Sequence, residues 1–178
     1  MKIGVIADTH DHVDIFGKVG TVLKDRGVEM IVHCGDWCAP YSVALFAKVM
    51  NKMCPNVPIN GVFGNNDGDI YRIIQTVESE ELAVFIQRDI MELEEDGKKI
   101  AIYHGTEEAI VNALLNSGNY QVVMRGHTHV GSIDSVNNTL HINPGTVSSY
   151  SNGTILDKVS IAVYDTVAHQ AELIFFPR

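Results

Sequence analysis

Five short apolar runs in this chain stop abruptly, and each delivers an aspartate, asparagine or histidine where it ends. The last of them constrains the fold most. Val122-Val123-Met124 halts at Arg125-Gly126 and hands the chain to His127-Thr128-His129. Extended backbone turns side chains two apart to the same side, and neutral imidazole is the commonest nitrogen ligand for transition metals. One such pair alone is a frequent loop pattern. The earlier runs repeat it with Asp8-Thr9-His10 after Lys2–Ala7, Asp36 after Met30–His33, Asn65 after Ile59–Phe63, and His104 after Ile100–Tyr103. In α/β sheets ligands gather at the carboxyl ends of strands, so these ends are expected to share one edge.

The segments between the runs supply the helices. Val13, Phe16, Val19, Val22 and Leu23 recur at helical spacing and stop at Gly27; Ala44, Leu45, Phe46, Val49 and Met50 mark a second helix. Asp69 caps a third, from Ile70 to about Glu80. Strands alternating with helices argue for parallel pairing. The second half changes character. Ile90–Leu93 and Ile100–Tyr103 flank a turn at Glu95-Asp96-Gly97-Lys98, and Thr106 with Glu107 and Glu108 opens a helix through about Asn116. Ser132–Val136, Thr139–Asn143, Ser160–Asp165 and Glu172–Phe176 are expected as antiparallel strands. The expected architecture is α/β, two packed sheets flanked by helices.

At 178 residues, 46% hydrophobic and 20% charged, the chain is expected to form one domain over residues 1–178. Its net charge of −9 disfavours nucleic acid and anionic membrane surfaces unless bound cations compensate. Cys34, Cys38 and Cys54 form no disulfide framework and read as packing residues in a reducing compartment. With no signal-peptide pattern and no membrane-spanning run, a cytoplasmic location is expected. The apolar end Leu173–Phe176 either completes the core or faces a second copy, which leaves a homo-oligomer open.

The donors collected at the strand ends are Asp8, His10, Asp36, Asn65, His104, His127 and His129. They exceed what one tetrahedral zinc needs and suit two adjacent transition ions with open positions for water and substrate. Asp36, alone on its loop, is the best candidate to bridge them. Asn65 offers only a neutral carbonyl oxygen, which keeps the cluster positive enough for a phosphate. Mn²⁺, Fe, Co²⁺, Ni²⁺ and Zn²⁺ all accept such a mixture, and Mn²⁺ is the ion expected.

In order, Asp8-Thr9-His10, Gly35-Asp36, Gly64-Asn65-Asn66-Asp67, His104-Gly105 and Gly126-His127-Thr128-His129 resemble the signature blocks of the calcineurin-like metallophosphoesterases. The resemblance runs from Lys2 to about Thr146 and includes the turn Asn143-Pro144-Gly145-Thr146. It implies a four-layer α/β/β/α sandwich. It also implies that Asp8, His10 and His129 hold one ion, that Asn65, His104 and His127 hold the other, and that Asp36 bridges them. The implied activity is hydrolysis of a small phosphodiester by a hydroxide held between the ions.

One position departs from the family pattern. The usual block has histidine where this chain has Asn66, as is common in the small phosphodiesterase branch that it most resembles. An amide can donate a hydrogen bond to a phosphoryl oxygen but cannot act as a general acid. Asn66 and Asp36 are therefore the expected catalytic residues, with a preference for aryl-type leaving groups that depart without protonation.

Asp11 or Asp67, and more weakly Thr106 or Thr128, are expected to orient ligand histidines. His33 reads as a core histidine, His12 and His169 as surface residues, Arg125 as structural, and Trp37 as packing. His141 is balanced between packing and support of the site. Two other readings stand beside the diesterase. One is a metal-binding scaffold like the retromer subunit of this fold; the other is an enzyme for phosphomonoesters or cyclic nucleotides.

Overall fold

The computed structural model describes residues 1–151 and 153–177. In chain order the elements are β1 (Lys2–Ile6), α1 (Phe16–Arg26), β2 (Met30–His33), α2 (Pro40–Met53), β3 (Ile59–Val62), α3 (Ile70–Ser79) and β4 (Val84–Gln87). There follow β5 (Ile90–Glu95), β6 (Lys98–Tyr103), α4 (Glu108–Asn116), β7 (Val122–Met124), β8 (Ser132–Val136) and β9 (Thr139–Asn143). The chain closes with β10 (Tyr150–Ser151), β11 (Thr154–Ile155), β12 (Lys158–Asp165) and β13 (Gln170–Pro177).

The first sheet has the order β13-β12-β1-β2-β3-β4. Its four strands β1 to β4 are parallel, and β12 and β13 add an antiparallel margin. The second sheet runs β5-β6-β7-β9-β8, with β6, β7 and β9 parallel and an antiparallel strand at each side. Both sheets are mixed.

Strand β1 shows why the layers stack as they do. It is buried on both faces, and such strands read as near-continuous apolar runs. Ile3, Val5 and Ala7 face the second sheet, packing with Met91, Ile100, Ile102, Val122, Met124 and Ile142. Ile6 belongs to the opposite layer, with Phe16, Val19 and Leu23 of α1 and Phe46 and Met50 of α2. On the outer face of the second sheet, Ala101, Tyr103 and Val123 meet Val111, Leu114 and Leu115 of α4. The result is the expected α/β/β/α sandwich.

Two helix ends follow their signals. Gly27, at φ 64°, closes α1 with its N–H on Leu23 and Lys24 carbonyls, because only a residue tolerant of left-handed backbone ends a helix this way. Asp69 accepts from the Arg72 N–H at 3.1 Å and caps α3 as expected. Three features depart from the sequence reading. Strand β4 has no counterpart in the sequence pattern: it is an edge strand with only Val84 buried, and Phe85 is 62% exposed. Strand β9 is antiparallel to β8 but parallel to β7. The two-residue strands β10 and β11 are too short to carry a periodicity. Among the described residues no helix is long and apolar enough to cross a membrane.

Because the inter-sheet layer is close-packed, truncating a side chain there leaves a cavity. Ile102→Ala, at a site with no solvent exposure, is expected to cost about 2–5 kcal/mol in urea unfolding. Phe85→Ala on the edge strand should cost far less; equal losses would contradict this placement of the core.

Candidate metal centre

The backbone at the strand ends is bent in a way that most sequences avoid. Asp8, His10, Asp36, His127 and His129 all lie in the left-handed region, with φ of 55°, 43°, 61°, 71° and 61°. Asp, Asn and His tolerate this conformation better than other residues, yet such strain costs about 1–3 kcal/mol each and persists where the surroundings enforce it. The bends turn the donors inward. Two glycines make room for them. A Cβ on Gly64 would fall 2.2 Å from Asp36 Oδ1, and one on Gly126 would fall 2.7 Å from Asp8 Oδ2.

All seven expected donors meet at this edge. On one side, His10 Nε2 and His129 Nε2 approach to 3.0 Å, and Asp8 Oδ1 lies 3.4 Å from His129 Nε2 and 3.8 Å from His10 Nε2. On the other, Asn65 Oδ1 lies 3.0 Å from His104 Nε2 and 2.9 Å from His127 Nδ1. Asp36 Oδ2 stands between, 3.4 Å from His10 Nε2 and 3.4 Å from His104 Nε2. Asp8, Asp36 and His104 are buried, while Asn65 is exposed.

The lone pairs of this cluster fit a cation. His104 Nδ1 donates to the Cys34 carbonyl at 2.8 Å, so in the neutral ring Nε2 is an acceptor, and it faces two further acceptors, Asn65 Oδ1 and Asp36 Oδ2. A bound cation, or a proton on Nε2, reconciles them. Burial alone would lower the His104 pKa, but the neighbouring Asp36 prevails and raises it. His10 and His127 are lowered, chiefly by burial, which favours the neutral imidazole that a metal requires. Asp36 is itself penalised by burial, yet His104 and two hydrogen bonds from Asn66 hold its carboxyl well below the usual range.

Surrounding groups brace the loops. Asn66 donates from Nδ2 to Asp36 Oδ2 at 2.8 Å and from its backbone N–H to Oδ1 at 2.9 Å. Asp67 accepts from the backbone N–H of Asp36, Gly64 and Cys38 at 3.1, 2.6 and 2.6 Å. Asp11 accepts from the Ala39 N–H at 2.9 Å and from the Ser42 hydroxyl. Both carboxylates thus shape the Asp36 loop and the start of α2; neither orients a ligand histidine as expected. Thr106 reaches Asn65 Oδ1 at 3.5 Å, and Thr128 accepts from Asn143 Nδ2 at 2.9 Å. Asn143 also donates to the Gly126 carbonyl, and Thr146 donates to the Asp8 carbonyl at 2.8 Å, so the Asn143–Thr146 turn ties two donor loops together.

His33 is buried in the core, stacked on Trp37 with ring centroids 3.6 Å apart. It accepts from the Gly35 N–H at Nδ1 and so presents Nε2–H to Thr9, whose hydroxyl donates to the Asp36 carbonyl. The core histidine therefore steadies two donor loops. Trp37 is packed, with Nε1 on the Val62 carbonyl at 2.9 Å. Arg125 is buried and pairs with Glu108 at 2.7 Å and with the Gly105 carbonyl, a structural role. His141 lies 3.8 Å from Asp134 on the outer face of the second sheet, away from the cluster. His12 and His169 are partly buried, and His12 accepts from the Ser149 N–H at 2.7 Å. Sequence reasoning missed Cys38, whose Sγ lies 3.6 Å from His10 Nδ1; a lone cysteine gave no signal for this.

The model of the calcineurin-like phosphoesterase superfamily domain matches residues 1–168, and the chain belongs to that superfamily. Phosphodiesterase MJ0936 of Methanocaldococcus jannaschii is 33% identical over 153 residues, covering 86% of this chain and 88% of that protein. The solved structure of an archaeal phosphodiesterase superposes with a TM-score of 0.84 at 31% identity, over 99% of this chain and 100% of that one. Vps29 of Entamoeba histolytica, with a TM-score of 0.65 and 15% identity over 99% of each chain, shares the fold.

A Cβ on Gly64 would collide with the Asp36 carboxylate, so the Gly64→Ala variant should retain the fold but displace Asp36 and lose metal, measured by elemental analysis after dialysis. Gly68→Ala, where a Cβ meets nothing within 4 Å, should retain both. Full metal content in Gly64→Ala would contradict the placement of Asp36.

Proposed function

We propose that this phosphoesterase is a phosphodiesterase that works with two divalent transition-metal ions and acts on small diesters. Asp8, His10 and His129 would hold one ion, Asn65, His104 and His127 the other, with Asp36 shared. The observation that carries this reading is the position of Asp36 Oδ2, 3.4 Å from His10 Nε2 in one donor group and 3.4 Å from His104 Nε2 in the other. A carboxylate with two lone-pair-bearing oxygens suits that place. Similarity to the phosphodiesterase of Methanocaldococcus jannaschii supports the substrate class. Mn²⁺ is the metal we propose, and the same donors also suit Ni²⁺, Fe, Co²⁺ and Zn²⁺.

When bound, such ions supply Lewis-acid polarisation of the phosphoryl group and a water acidic enough to attack near neutral pH. The chain's own residues set the geometry. Asn66 fixes the Asp36 carboxylate through two hydrogen bonds and retains one side-chain N–H for a phosphoryl oxygen. It has no proton to give. Among the described residues no histidine replaces it at this position, so the leaving group departs unprotonated, and aryl esters are preferred to alkyl esters. The three cysteines are free, in keeping with the reducing cytoplasm we assign to this enzyme, which acts as one domain over residues 1–178.

The test is hydrolysis of bis(p-nitrophenyl) phosphate and p-nitrophenyl phosphate by chelator-stripped protein with Mn²⁺ restored. Diester cleavage should require the metal and fall in Asp36→Ala by more than the roughly 100-fold typical of losing an outer partner of a metal ligand. Across a series of diesters, the rate should drop steeply as the leaving group becomes a poorer anion. Protein that binds two ions per chain yet cleaves neither ester would instead support the scaffold reading, and equal rates on aryl and alkyl leaving groups would refute the role given to Asn66.

A further inference from the structure

A cavity of about 320 Å³ adjoins the cluster on its Asn65 side, between the loop after β3, the start of α3, the β4–β5 turn and the loop after β6. Asn65 belongs both to its wall and to the donor set. The cavity therefore opens directly beside the donor set.

The wall has two chemistries. Phe63, Tyr103 and Ile70 supply apolar surface. Phe63 and Tyr103 are buried, and the Tyr103 hydroxyl accepts from the Glu107 N–H at 3.0 Å, which fixes its ring. Ile70 is partly open to solvent. Arg88, Asp89 and Glu107 supply the charge. The Arg88 guanidinium makes no hydrogen bond or ion pair among the described residues, so its planar face is available. With two carboxylates against one guanidinium the wall is net negative, and it repels a second anionic group.

We propose, building on the phosphodiesterase reading, that this cavity receives one ester arm of the substrate and selects a neutral aryl group about one ring in size. The volume is at the lower end of the roughly 300–1,000 Å³ of small-molecule sites, which suits a ring better than an extended chain. Fixed aromatic walls favour a planar partner, and arginine stacks on aromatic faces. This preference has a different cause from the one given to Asn66. The cavity acts through binding, whatever the arm's ability to leave.

Binding measured without turnover separates the two causes. Calorimetry on the full, Mn²⁺-loaded chain would compare phenyl phosphate, methyl phosphate and inorganic phosphate in the native protein, Arg88→Ala and Ile70→Ser. Native protein should bind phenyl phosphate about tenfold more tightly than methyl phosphate, an amount of the size expected for one stacked ring. Both variants should reduce that ratio toward one, with metal content unchanged. Equal binding of the two esters by native protein, or a ratio that survives both variants, would overturn the cavity's role while leaving the metal reading intact. If none of the three ligands binds to protein that has loaded Mn²⁺, the cavity's role fails; if that protein also leaves bis(p-nitrophenyl) phosphate uncleaved, the phosphodiesterase reading fails with it.

Discussion

A buried carboxylate with too many acceptors around it is the constraint on which this edge of the molecule depends. Asp36 is almost fully enclosed, and charge in such a place is costly unless it is paired and hydrogen-bonded. The structure answers on every side. Asn66 donates twice to the carboxylate, Asp67 gathers the backbone of its loop, and His33 and Thr9 hold the loop from below. What remains is an arrangement of oxygens and imidazole nitrogens whose lone pairs converge. A cation would complete it.

The strain in the loops is the counterpart of that convergence. Five donors sit on left-handed backbone, and straight strand ends would send those side chains elsewhere. The cost is borne by the two cores beneath, where β1 lies buried between helices and the second sheet. A rigid, close-packed scaffold can hold strained loops in place because it deforms little. Stability in the layers and geometry at the edge are parts of one design.

Much of this was legible in the sequence because the donors follow apolar runs, and apolar runs end at sheet edges. The strand-helix alternation in the first half, the Gly27 stop and the Asp69 cap were local signals and needed no tertiary knowledge. Strand β4 was not legible, since an exposed Phe85 in a four-residue edge strand gives no clear period. The parallel pairing of β7 with β9 depends on which strands the sheet brings together, and local sequence does not encode it. The same limit applies to the supports of the site. Asp11 and Asp67 bond backbone groups, and Cys38 approaches His10, through contacts that loop geometry alone decides.

Asp36 is proposed to stand between two ions. Anomalous diffraction from crystals of the Mn²⁺-loaded protein tests it most directly. Two peaks per chain are expected, one beside His10 and His129 and one beside His104 and His127, with Asp36 Oδ2 between them. A single peak, or two peaks neither of which touches Asp36, would contradict it.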